Sequence, residues 1–361
     1  MKISAVDTVL VELPLEKPLR TSIHRIEKVS CLLVTLQTDA GVCGEGYSFA
    51  FDNGGLCGTH ELVKGLADFV VGADPLAPAE LFDGMVRKLN FFGYAGISAH
   101  AMTTIDVACW DIKGKSVGKP LHQLFGGGRQ RIPAYASGGL WLSADVDELQ
   151  AEAQMFLDQG FKAMKMRLGS EKIGDDVERA AALRDVIGPD IALMADANQG
   201  LSVEKAIALG QALAPFNLSW FEEPVPTYDH KGHAQIAASL DTPLASGETE
   251  YLHYGLAQMI EKKAADILMP DLQRMGGYTD FLRAIDLMAN SQITFSPHIF
   301  TEHSLHLCAG AGAIYVEHMP WFEPLFKEKI TVDEDGMIAL PQSPGVGFSF
   351  DWDRLDAFRF S

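Results

Sequence analysis

A chain of 361 residues, 47% of them hydrophobic, can bury a large core and exceeds one average domain. Its net charge of −19 argues against nucleic acid or an anionic membrane surface as a partner. A small anionic substrate stays open, because one local cationic pocket suffices for it. Five cysteines (Cys31, Cys43, Cys57, Cys109 and Cys308), an odd number without a CxxC, point to a reduced, cytoplasmic protein rather than a disulfide scaffold.

In chain order, residues 2–12 alternate as a strand, with no basic start and apolar run that would make a signal peptide. No apolar stretch reaches transmembrane length. Residues 29–38 and 42–50 read as two more strands joined at Asp39-Ala40-Gly41, a hairpin turn. A polar loop from about Glu16 to Lys28 carries Arg20, His24 and Arg25, and Phe51 to Gly58 reads as irregular. Helical patterns follow at 60–71, 78–89 and 98–117, the last with Ser98 as N-cap, Gly118 as its stop and Pro120 beyond. Phe91, Phe92 and Tyr94 read as core packing. Residues 1–125 thus form an α+β domain.

From there short apolar runs alternate with helical patterns such as 174–186, 203–214 and 277–290. The runs are 131–139, 162–167, 191–198, 218–223, 243–248, 266–271, 293–298 and 313–317. Continuous apolar runs separated by helices indicate buried parallel strands in βα units. Eight of them predict an eight-stranded (β/α)8 barrel over residues 126–325, with its site at the C-terminal strand ends. Most runs end there in a polar or charged residue. Residues 326–361 are too few for a domain and are expected to pack back on the rest.

Asp196, Glu222 and Glu248 lie 26 residues apart, from 196 to 222 and from 222 to 248, one βα unit per step. Three carboxylates aimed at one point repel each other, and a hard divalent cation resolves this. Oxygen ligands favour Mg2+, with Mn2+ a possible substitute. Singly, each could be a helix cap; the equal spacing favours the metal. Lys165 and Arg167 share a strand face on one side of this triad. Asp271 and His298 end runs on the other, and a carboxylate on one imidazole nitrogen raises the basicity of the second. Glu317 ends the eighth run. A base, a cation and a divalent metal suit abstraction of a proton next to a carboxylate.

These motifs resemble the mandelate racemase subgroup of the enolase superfamily: TTIDVACWDIKGK (103–115), the K-x-R of Lys165 and Arg167, DAN (196–198), FEEP (221–224), SGE (246–248), PD (270–271), PHIF (297–300) and PGVG (344–347). The resemblance covers nearly the whole chain. It implies an α+β cap over a modified (β/α)7β barrel, with the C-terminal segment completing the cap, and a homo-oligomer. It implies that Asp196, Glu222 and Glu248 bind Mg2+, that Asp271–His298 is the catalytic dyad, and that Glu317 is an electrophilic glutamate. Lys165 would contact the substrate carboxylate and Asn198 would hydrogen-bond the substrate. Arg167 replaces the family's second basic lysine; a guanidinium stays protonated, which disfavours two-base racemisation. A one-base dehydration of an acid sugar to a 2-keto-3-deoxy acid is therefore expected. An epimerase or lactone cycloisomerase is the alternative, and a non-catalytic homologue a remote one. Substrate choice is expected from cap residues His24, Arg25 and Tyr47, with Arg20 beside them. If His24 or Arg25 reaches the pocket, a second substrate carboxylate becomes plausible.

Overall fold

A computed structural model describes residues 1–360, the Glu16 side chain apart. The chain opens with three antiparallel strands in the order β1 (Ile3–Arg20), β2 (Arg25–Thr38), β3 (Gly44–Ala50). The first two are longer than the alternation indicates. The polar stretch expected to be a loop is the far end of a hairpin, irregular only between Pro14 and Leu19, where the register shifts. Proline lacks the N–H that a ladder needs, which places Pro14 and Pro18 at this irregularity.

Helices α1 (Asn53–Val70) and α3 (Ile97–Val117) pack on this sheet, and α2 (Pro78–Lys88) packs against both of them. The first starts earlier than expected because the Asp52 carboxylate caps it, accepting from the Gly55 N–H. The third begins at Gly96 without a side-chain cap, so Ser98 lies inside it; it stops at left-handed Gly118, as the sequence implies. Gly44 and Gly46 of β3 touch α3: a Cβ would stand 2.0 Å from the Ala108 carbonyl oxygen and 2.3 Å from that of Thr104. α3 also faces the barrel, where the Thr279 N–H donates to Asp106 at 2.9 Å. Phe91 and Phe92, expected in the core, lie exposed on the α2–α3 connection instead.

After a short helix α4 (Leu121–Leu124), eight parallel strands follow: β4 (Arg131–Ala136), β5 (Ala163–Arg167), β6 (Ala192–Asp196), β7 (Trp220–Glu222), β8 (Leu244–Ser246), β9 (Ile267–Leu268), β10 (Thr294–Phe295) and β11 (Val316–His318). Each pairs with the next, β11 pairs with β4, and a bridge from Phe295 to Ala313 closes the ring. Seven helices connect them: α5 (Val146–Asp158), α6 (Ile173–Ile187), α7 (Val203–Leu213), α8 (His230–Ala237), α9 (Leu252–Lys262), α10 (Tyr278–Asn290) and α11 (Thr301–Cys308). The architecture is the (β/α)7β barrel. Tyr135, Met194 and Trp220 fill its interior with Ala245 and Met269. Two residues further along β6 and β7, the same inward face presents Asp196 and Glu222.

The C-terminal segment serves both parts. β12 (Met337–Ala339) adds antiparallel to the start of β4. The Phe350 N–H then donates to Glu45 at 2.9 Å, and the Phe360 N–H to the Leu10 carbonyl oxygen at 3.2 Å, both in the cap sheet. Short α12 (Trp352–Leu355) lies between them. Among the described residues, no helix is long and apolar enough to cross a membrane, and the five cysteines are unpaired.

Candidate active site

The cap meets the barrel mouth through the turn between β1 and β2. The Ser22 hydroxyl donates to the carbonyl oxygens of Ala197, at 2.6 Å, and Asn198, at 3.0 Å. Gly169 and Gly200 make room: a Cβ on either would stand under 3 Å from Ser22. Beneath the turn lies a cavity of about 130 Å3.

Its floor is the set of strand ends. The Lys165 ammonium sits among three carboxylates, 2.6 Å from Glu222, 3.2 Å from Glu317 and 3.6 Å from Asp196. The Arg167 Nε lies 3.4 Å from Asp196, and its Nη2 donates to the Ser137 hydroxyl at 3.1 Å. Its other nitrogens have no hydrogen-bond partner, and the guanidinium lies 4.6 Å from the centre of the Trp141 ring. Asp196 accepts from the Asn198 backbone and side-chain amides at 2.7 and 2.9 Å. The Asn198 Oδ1 is buried without a donor.

Across the mouth, His298 Nδ1 meets Asp271 Oδ2 at 2.7 Å, while Nε2 faces Glu248 at 3.6 Å. Both dyad residues lie just past their strands and are joined by a parallel bridge. The Arg274 backbone N–H donates to Asp271 at 2.9 Å, and its guanidinium stands 3.5 Å away. Ile299 and Phe300 follow His298 in the left-handed region, at φ 36° and 50°. That conformation is costly for a β-branched residue. It turns the Ile299 N–H onto Glu317 Oε2 at 2.8 Å. Glu317 also accepts from Ser137.

The electrostatics follow from burial and these neighbours. Burial pushes the Glu222 carboxyl up to about 8; Lys165 pulls it down, while Asp196, Glu248 and Glu317 push with burial. Burial raises Glu223 too, with Glu248 and Asp196 adding to it. Burial disfavours the His298 imidazolium, yet Glu248 and Asp271 outweigh it and raise its pKa to about 9. Glu317 is buried, but Lys165, His298 and Arg167 hold it well below the carboxylate range, so it is an acceptor here.

Crowded hard oxygen donors whose charges oppose one another fit a divalent cation. As the side chains stand, no three His, Cys, Asp or Glu groups among the described residues converge closely enough to hold one. Asp196 and Glu222 turn toward Lys165 instead.

Of the residues expected at the site, Lys165, Arg167, Asp196, Asn198, Glu248, His298 and Glu317 line the cavity with His24; Glu222 and Asp271 lie directly behind them. Two cap residues stand elsewhere. Arg25 is exposed and pairs with Glu27 at 3.0 Å, because the hairpin carries it past the mouth. Tyr47 is buried among Phe300, Phe322 and Phe326 and donates to Glu302. Arg20 is exposed outside the lining as well. Residues not singled out from the sequence are Arg274, Ser137, Trp141, Gln199 and Trp321. Each had a signal of position: Ser137 lies within the run 131–139, and Trp141, Gln199, Arg274 and Trp321 follow barrel runs by one to four residues.

Comparison with known proteins identifies the family. Residues 4–126 match the family described as mandelate racemase / muconate lactonizing enzyme, N-terminal domain, and residues 148–354 match the one described as enolase C-terminal domain-like. An L-talarate/galactarate dehydratase of Salmonella typhimurium is 33% identical over 90% of this chain and 81% of its own. A 3,6-anhydro-alpha-L-galactonate cycloisomerase of Streptomyces coelicolor is 32% identical over 98% of both. The crystal structure of the Salmonella dehydratase with Mg and L-lyxarohydroxamate superposes at a TM-score of 0.95, with 31% identity, covering 100% of this chain and 93% of that one. These two family matches and these relatives show that the chain belongs to the mandelate racemase subgroup of the enolase superfamily.

Proposed function

We propose that the protein is a Mg2+-dependent hydro-lyase that dehydrates an acid sugar to a 2-keto-3-deoxy acid. The observation that carries this is an asymmetry: one face of the mouth has a His–Asp dyad at 2.7 Å, and the other has an arginine where a second base would stand. Asp196, Glu222 and Glu248 would hold the metal. When bound, Mg2+ supplies positive charge that offsets the negative charge growing on the substrate carboxylate. Lys165 supplies a second cation there, released from Glu222 once that carboxylate has another partner.

His298 Nε2 takes the proton from C2, with Asp271 fixing the tautomer through Nδ1. The enediolate then expels the C3 hydroxyl. The imidazolium proton leaves with that hydroxyl as water, and the enol tautomerises to the 2-keto acid. Arg167 stays protonated throughout and holds charge rather than moving a proton. Glu317 orients the Ile299 N–H and Lys165 around the reacting carboxylate.

A second reading, an epimerase or cycloisomerase working through the same enediolate, is supported by the cycloisomerase relative that matches this chain end to end. The same proposal makes the protein a cytoplasmic homo-oligomer, supported by its free cysteines and the exposed Phe91 and Phe92.

The test is a screen of mono- and diacid sugars with Mg2+, followed by proton NMR in D2O. A 2-keto-3-deoxy product is expected. Exchange of the C2 proton without loss of water would transfer the protein to the second reading. Neither signal with any acid sugar would end both.

A further inference from the structure

One wall of the cavity is aromatic: Phe49, Phe51, Trp141 and Trp321. Its rings form a continuous row. Phe49 meets Phe51 at 5.5 Å, and Phe51 sets its edge against Trp321 at 5.6 Å. Trp321 and Trp141 stack with centroids 5.9 Å apart and planes 8° from parallel. The row ends on a cation, the Arg167 guanidinium, 4.6 Å over the centre of the Trp141 ring.

The loop after β4 is shaped around this contact. Leu140 is left-handed at φ 56°, a strained conformation for a residue with a side chain. Its N–H donates to Glu152 at 2.6 Å, and its carbonyl oxygen accepts from the Arg167 backbone N–H at 3.0 Å. Trp141 comes next, and its carbonyl oxygen accepts from Arg179 at 2.9 Å. One strained turn thus sets a carbonyl on the backbone of Arg167 and a ring on its guanidinium. Both side chains are buried.

The other side-chain partners of Arg167 each serve a second group. Asp196 is one of the carboxylates that would hold Mg2+, and Ser137 donates to Glu317. The Trp141 face serves Arg167. A planar guanidinium is matched by a flat aromatic face in a way that a compact ammonium is not. The ring therefore suits the arginine that this chain carries in place of the family's second lysine.

We propose that Trp141, backed by Trp321, is a positioning residue that fixes the direction of the Arg167 guanidinium at the cavity. It rests on the dehydration reading above and deepens it. Nε and Nη1 of Arg167 have no hydrogen-bond partner, so the ring plane, rather than a bond at those atoms, decides where they point. A cation already aimed needs no reorganisation as negative charge grows on the substrate. The effect of Trp141 therefore falls on kcat rather than on KM.

The experiment is a double-variant cycle in kcat and KM, with Mg2+ and an acid sugar that the wild type turns over. Trp141→Leu is expected to lower kcat by about 2- to 30-fold, the span of a cation resting on a ring, with KM within about twofold. Trp141→Phe is expected to restore most of the loss. In the Arg167→Lys background, Trp141→Leu is expected to change kcat by less than about twofold, because the group it acts through is gone. An equal loss in both backgrounds, or no difference between phenylalanine and leucine, overturns the proposal. A second readout needs no turnover: the Arg167 Nε–Hε signal in NMR, assigned by its loss in Arg167→Lys. It is expected upfield under the ring current and slow to exchange with water, and to lose both properties in Trp141→Leu. That result sustains the positioning even if no acid sugar yields a 2-keto acid, which would end only the dehydratase reading. A signal unmoved by Trp141→Leu overturns the positioning whatever the chemistry. Trp321 is half-buried, so Trp321→Leu tests the stack while leaving Trp141 in place. It is expected to move the same signal in the same direction by less, and no movement overturns the proposal.

Discussion

The Ser22 hydroxyl reaches across 175 residues of chain to the Ala197 carbonyl oxygen, 2.6 Å away. One hydrogen bond ties the cap turn to the residue that follows Asp196. Such a bond contributes about 0.5–1.5 kcal/mol, so Ser22→Ala should raise KM by about 2- to 10-fold and leave kcat within twofold. Gly200→Val should do more, since a Cβ there meets Ser22 at 2.6 Å. Steady-state kinetics of the two variants separate closure from chemistry.

Arg167→Lys tests the one-base reading. Lysine cannot keep the donation to Ser137, the approach to Asp196 and the contact with Trp141 at once. Dehydration should fall by about 10- to 100-fold. A lysine can also deprotonate and act on the opposite face, so epimerised substrate should appear in the NMR spectrum of the variant. Product loss without epimer would leave Arg167 as a pure charge anchor.

The sequence made the chemistry of the site more legible than its shape. The 26-residue spacing located Asp196, Glu222 and Glu248 because a parallel βα unit repeats with a nearly constant length, and strand ends share one side of a barrel. The K-x-R pair was readable for the same reason. The aromatic wall was not: Trp141, Phe51 and Trp321 come from two loops and the cap, and only the closed ring brings them together. The hairpin end was misread as a loop because its charged residues and prolines lie on strands with an exposed side, where polarity carries little information about extension. Tyr47 and Arg25 were assigned to the pocket from the resemblance, by their place in the cap, whereas the course of each strand decides which way they point.

Metal binding should report on the carboxylates independently of turnover. At free Mg2+ about 100 times its Kd, unfolding should cost about 2.7 kcal/mol more, and Glu222→Gln should abolish that gain in calorimetry. In metal-free protein His298 should titrate near 9, since Glu248 and Asp271 favour the imidazolium. Mg2+ on Glu248 cancels one of those charges, so the pKa read by NMR should fall when the ion is added.

Glu302 should give the fold a pH dependence away from the chemistry. Burial raises its carboxyl from 4.5 to about 7, with the Tyr47 hydroxyl opposing. The folded protein therefore holds a proton that the unfolded chain releases. This contribution is fully present below about 4.5 and fades as pH rises to about 7, a change of roughly 3 kcal/mol from 1.36 kcal/mol per unit. Denaturation curves at pH 5 and 7.5 should show this fall in the wild type and a flatter profile in Glu302→Gln.

The final strokes of the chain lie on its first strands: Phe360 bonds to Leu10, and Phe350 to Glu45. Phe350 and Glu45 stand 305 positions apart in the chain, so the cap sheet is clasped by a segment that the barrel itself carries back to it. Removing the residues from Asp351 to Phe360 should loosen substrate capture, read as a rise in KM, before it harms the barrel.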